Sequence, residues 1–145
     1  MNKNLIIFAL ITLAFSKISL GQNSADPWKP EQLLSPAVLD SVIKSGANIE
    51  PLIICVGPSA LIKGSVDAGP AKEKGNLDKL RQLLSNEKRD REIVIYCGCC
   101  PFDRCPNIRP AFQLLHEMKF THPMLLNLAK NLKTDWIDHG YSIHP

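Results

Sequence analysis

Four of the chain's five cysteines, Cys97, Cys99, Cys100 and Cys105, lie in the nine-residue stretch Cys97-Gly98-Cys99-Cys100-Pro101-Phe102-Asp103-Arg104-Cys105. Clustered thiols have three chemistries open to them: attack by a thiolate, reversible disulfide exchange, and capture of a soft metal ion. Cys97 is the best-placed nucleophile, because it ends the apolar run Ile93-Val94-Ile95-Tyr96 and the loop after it leads into a helical pattern. Backbone N–H groups of such a loop and of the first helical turn point at the sulfur, stabilise its thiolate and cradle an anionic substrate. Gly98, Cys99 and Cys100 would supply loop amides, and Arg104 and Arg109 are the available cations. The competing reading makes Cys97 a small apolar side chain at a strand end and leaves the two arginines solvated or capping the loop.

Cys99, Cys100 and Cys105 keep several roles open. They are candidates for a disulfide that braces the loop, above all one including Cys105, or for resolving an oxidised Cys97. A tetrahedral zinc or a Cu(I) ion held by Cys97, Cys99, Cys100 and Cys105 is the third alternative. Spacing argues against a standard zinc knuckle, since adjacent Cys99 and Cys100 do not easily both aim inward and no second C-x-x-C pair is present. The expectation is therefore no metal and no cofactor. Cys55 reads as core, with the reservation that a neighbouring strand end would bring it toward Cys97. His116, His122, His139 and His144 show no ligand-like pairing.

The elements that must position the loop are legible as alternating strands and helices. Ser35-Pro36 opens a helix as N-cap and first residue, with Val38, Leu39, Val42 and Ile43 as its apolar stripe and Gly46 as its stop. Pro51 to Val56 is a continuous apolar run ended by Gly57-Pro58, the pattern of a central strand buried on both faces. A gly- and charge-rich loop from Lys63 to Gly75, with a short strand at Ser65 to Asp67, leads to a helix capped by Asn76 and carrying Leu77, Leu80, Leu83 and Leu84 on one side. Glu92 to Cys97 is the strongest strand signal, followed by a helix over Asn107 to Met118, a strand over Met124 to Leu128, and a last helix at Trp136-Ile137 stopped near Gly140. Trp28 and Trp136 read as core anchors. This alternation predicts an α/β fold with a mostly parallel sheet covered on both faces, and places the cysteine loop at a carboxyl edge, where such sheets bind ligands.

Ile93 to Cys97, the loop, the helix ending Leu114-Leu115-His116-Glu117-Met118-Lys119-Phe120, and then Leu126, Trp136 and Gly140-Tyr141 resemble the rhodanese-like domain over about residues 28 to 143. Leu52 to Val56 looks like the strand opening that family's first half, and Lys63-Gly64-Ser65-Val66 is a weak echo of its Gly-His-Ile segment. The resemblance implies a three-layer α/β/α domain in which Cys97 takes sulfane sulfur from a donor such as thiosulfate, becomes a persulfide, and passes the sulfur to cyanide or a thiol. The chain departs from the family at Cys55 and Gly57, where Asp and Arg are usual, and at Ser65, where His is usual. Its loop is also longer than the family's six-residue turn from cysteine to basic residue.

At the other end, Lys3, the apolar run Leu5 to Ile11, and small Ser19 and Gly21 predict a signal peptide over residues 1–21, cleaved before Gln22. A tether over residues 22–30 and one domain over residues 31–145 follow, in a protein exported to a periplasm or secreted, with no membrane segment in its mature form. Loss of Lys3 and Lys17 lowers the formal charge from +3 to +1, and no basic block suggests nucleic acid. The partners expected are a small sulfur donor and a thiol acceptor. A protein partner for the loop belongs to the third, non-enzymatic reading.

Overall fold

The computed structural model describes residues 26–46 and 51–145; the predicted signal peptide, its cleavage site and the first part of the tether lie outside the described residues. Five strands form one sheet: β1 (Leu33–Leu34), β2 (Leu52–Cys55), β3 (Val66–Asp67), β4 (Glu92–Tyr96) and β5 (His122–Leu126). Their order across the sheet is β1-β5-β4-β2-β3, and every neighbouring pair is parallel. Among the described residues four α-helices connect or follow them: α1 (Pro36–Ser45), α2 (Lys74–Leu84), α3 (Ile108–Glu117) and the short α4 (Leu132–Asp135). The protein is thus an α/β fold built on a parallel sheet, as the alternating pattern requires.

The pleat divides each strand between two cores. Ile93, Ile95 and the following Cys97 enter one core with Ile54, Leu125 and the helical residues Leu80, Leu84, Ile108, Phe112 and Leu115. Val94 and Tyr96 enter the other with Ile53, Cys55, Leu126, Leu39, Leu132 and Trp136. Helices α2 and α3 therefore cover one face while α1 and the α4 segment cover the opposite one. Burial on both sides is what a continuous apolar strand needs, and each such large side chain contributes roughly 1.5–3 kcal/mol.

Several expectations shift in detail. The middle strand is β4, with the cysteine loop at its tip; β2 is interior but lies one place toward the β3 edge. In α1, Val38 is 51% exposed, and the charged Asp40 is buried instead. Its carboxylate accepts from Ser142 N and pairs with Lys44 Nζ, so the helix face is completed by a satisfied polar group. Ser35 holds the N-cap position but makes no side-chain cap. Asn76 does not cap α2: Glu73 takes that position, and Asn76 reaches back from the first turn to Pro70 O. The last helix starts earlier than Trp136, capped by Asn131, whose Oδ1 accepts from Thr134 N at 2.8 Å. Trp28, by contrast, is the expected core anchor, buried against Phe102 and Phe112 although it lies in the tether stretch. No helix among the described residues is long and apolar enough to cross a membrane.

Candidate functional site: a thiol cluster at the end of the middle strand

The site starts from the register of β4. Because Tyr96 faces the α1 side, the next residue, Cys97, turns its side chain toward α2 and α3 and is only 1% exposed. The loop then makes a helical turn over Phe102–Arg104 and closes by Phe102 N donating to Leu128 O. This path brings Cys105, itself fully buried, back beside Cys97. The Sγ atoms of Cys97, Cys99 and Cys105 all lie within 4.8 Å of one another. Cys97 Sγ is 3.4 Å from Cys99 Sγ, which is 3.1 Å from Cys100 Sγ. All five cysteines stand as free thiols.

Four groups lean on the Cys97 sulfur. Asn107 Nδ2 donates to it at 3.5 Å, and Asn107 Oδ1 accepts from Lys72 N, so one buried amide ties the sulfur to the loop before α2. The thiols of Cys105 and Cys99 and the Cys99 amide also favour the charged form of the sulfur, the Cys99 thiol from 3.4 Å. These bonds, the Cys105 contact foremost, outweigh burial and pull the Cys97 thiol down to about 5. Its neighbours pay in the opposite direction. Burial and the contacts with Cys100 and Cys97 push Cys99 up to about 12, and the bond to Cys97 chiefly raises Cys105. The cluster therefore concentrates one negative charge on Cys97.

Two glycines make the approach feasible. A Cβ on Gly57, the residue that ends the β2 segment, would stand 2.7 Å from Cys97 Sγ. A Cβ on Gly98 would meet Leu132 Cβ at 2.8 Å, where Leu132 N donates to Gly98 O at 3.0 Å. Neither contact can be read from local spacing, nor can the part played by Asn107, which looks in sequence like an ordinary helix start.

The predicted residues separate into two groups. Cys97, Cys99, Cys100 and Cys105 come together. Arg109 instead pairs with Asp26, donates to Asp103 O at 2.7 Å, and lies over the Trp28 ring at 5.2 Å. Arg104 is 83% exposed beside Asp103, and neither guanidinium bonds a thiol. Cys55 belongs to the opposite face, donating to Ser59 O at 3.2 Å, and burial raises its thiol. Ser65 is also remote, bonded to Ile62 O and to Tyr96 Oη.

For an ion, among the described residues the trio Cys97, Cys99 and Cys105 is the group whose ligand atoms come close enough, with Cys100 falling outside it. Three thiolates at roughly 2.3 Å from a metal sit about 4 Å apart, so modest closing would suffice. What the fold and site define is an α/β protein with a thiol cluster at the carboxyl edge of a parallel sheet. No family model matches the chain, and comparison with curated proteins finds no match either.

Proposed function

We propose that the protein is an exported, rhodanese-like sulfurtransferase that carries sulfane sulfur on Cys97. The observation that carries this reading is the buried Cys97 sulfur at the tip of the middle strand, to which Asn107 Nδ2 donates and beside which Cys99 and Cys105 lie, surroundings that lower its thiol pKa. In the proposed step the Cys97 thiolate attacks the outer sulfur of a thiosulfate-like donor. The donor's S–S bond breaks, sulfite leaves with the electron pair, and Cys97 becomes a persulfide. A thiolate or cyanide then attacks the outer sulfur and expels Cys97, which leaves readily because the same donors stabilise its charge. Arg109 is committed to Asp26 and Asp103, so the donor's charge falls to the loop amides and Arg104. The chemistry needs no cofactor.

The test is intact-mass spectrometry of the reduced protein before and after thiosulfate, with mapping of the loop. A gain of one sulfur, about 32 Da, on Cys97 is expected. No gain in the wild type, or an equal gain and turnover in Cys97→Ser, would remove this reading. The 3.4 Å Cys97–Cys99 contact favours thiol–disulfide exchange as the second reading, and loss of two hydrogens across that pair on mild oxidation would support it.

A further inference from the structure

Cys97 is a poor place from which to deliver sulfur to a large acceptor. Its Sγ is walled by Gly57, Asn107, Cys105 and Cys99, and three of these four are themselves buried. Cys99 alone among them is exposed, with its Sγ 3.4 Å from that of Cys97. A macromolecular thiol approaching from solvent meets Cys99 first, whereas a donor the size of thiosulfate has far less bulk to bring past it.

We infer that Cys99 is a second catalytic thiol, which takes the sulfane sulfur from Cys97 and presents it to protein-sized thiol acceptors. This rests on the sulfur-transfer reading and names the residue through which the product leaves. The Cys99 sulfur attacks the outer sulfur of the Cys97 persulfide, forming a new S–S bond as the Cys97–S bond breaks. Cys97 departs as the thiolate that Asn107 and the Cys99 amide stabilise, and the Cys99 proton moves to the transferred outer sulfur. The exchange converts a persulfide anion on Cys97 and a thiol on Cys99 into a thiolate on Cys97 and a protonated persulfide on Cys99, so it consumes neither oxidant nor reductant. An acceptor thiolate then takes the sulfur from Cys99, releasing it as a thiol. The proximity of the two sulfurs gives this internal step the advantage of an intramolecular reaction.

The experiment loads full-length wild type and Cys99→Ser with thiosulfate, removes the donor, and adds either cyanide or a thiol-terminated polyethylene glycol as a bulky acceptor. In the wild type, rapid quenching and mapping should find the added sulfur on Cys97 first and on Cys99 during discharge. Because Cys99 also touches the Cys97 sulfur, the comparison is the ratio of discharge to the bulky thiol over discharge to cyanide, which Cys99→Ser should lower about tenfold or more against the wild type. An equal ratio in both proteins would overturn the relay, as would sulfur that never appears on Cys99 in the quenched wild type. The mapping decides the matter even if Cys99→Ser loads badly. A wild type that takes up no sulfur would fail the sulfur-transfer reading itself and the relay with it.

Discussion

At the scale of single residues, the thiol cluster works because its members do not share charge evenly. Cys97 is pulled down to about 5 while Cys99 is pushed up to about 12, so at neutral pH the charge rests on the buried sulfur. A lowered thiol pKa means thiolate above that value and thiol below it. Modification of Cys97 by methyl methanethiosulfonate, followed by peptide mapping, should therefore stay flat from neutral pH down to about 6 and fall with a midpoint near pH 5. A midpoint near the ordinary cysteine value of about 8.5 would show that the cluster does not activate it. Asn107 supplies the second test, since it links the sulfur to Lys72 N. Asn107→Ala removes a donor to the sulfur and the acceptor of the part-buried Lys72 N–H, which should raise the midpoint and cost about 1 kcal/mol in denaturant titration. Asn107→Asp should raise the midpoint further, because it sets a carboxylate beside the thiolate. Equal profiles for the two variants would mean that Asn107 only packs.

At the scale of elements, the cluster is held by contacts between segments far apart in sequence. Gly98 allows the α4 segment to sit against the tip of β4, where a Cβ would approach Leu132 Cβ to 2.8 Å. Gly98→Ala should cost about 1–3 kcal/mol by overpacking. In a double-mutant cycle, Gly98→Ala and Leu132→Gly, which removes the contacting Cβ, together should cost at least about 1 kcal/mol less than the sum of the two single changes; strict additivity would show that the contact relaxes freely. On the other face, Tyr96 Oη accepts from Leu61 N and Ile62 N and bonds Ser65 Oγ, pinning the chain between β2 and β3. Tyr96→Phe should cost about 1–3 kcal/mol by leaving those amides without an acceptor, measured by the same titration. These contacts mark where legibility ends. The strands β2, β4 and β5 and the helix α3 are plain in the sequence because each buries a periodic or continuous apolar set, and the cysteine spacing announces the site. Strand order, the roles of Gly57 and Asn107, and the diversion of Arg109 to Asp26 depend on long-range packing that no local pattern encodes. Asn76 misleads for a related reason: its side chain has the chemistry of a cap, yet the turn at Gly69-Pro70 starts α2 earlier and puts the residue to a different use.

At the scale of the molecule, the segment before β1 bears on the cysteine loop through Trp28. Its indole meets Phe102, in the middle of the loop, and Phe112 on α3, each with ring centroids 5.9 Å apart and edge-on. The guanidinium of Arg109 covers the same indole and pairs with Asp26, while His116 Nε2 lies 2.8 Å from Pro27 O. The stretch from Asp26 to Trp28 is thus clamped across the start and the length of α3, and its Trp28 enters the same core as Cys105. Removing the indole should therefore do two things. Trp28→Ala should destabilise the fold by about 3 kcal/mol, the usual cost of emptying a buried aromatic site. It should also free Phe102 and loosen the turn that returns Cys105 to Cys97, so mapping after brief alkylation should find Cys105 labelled several-fold faster than in the wild type under conditions where both proteins remain folded. A variant that loses stability but keeps Cys105 protected would show that Trp28 serves the core alone. The combined outcome would make the segment before the first strand part of what keeps the thiols gathered, and would explain why Arg109 faces the indole and Asp26 rather than the thiol cluster.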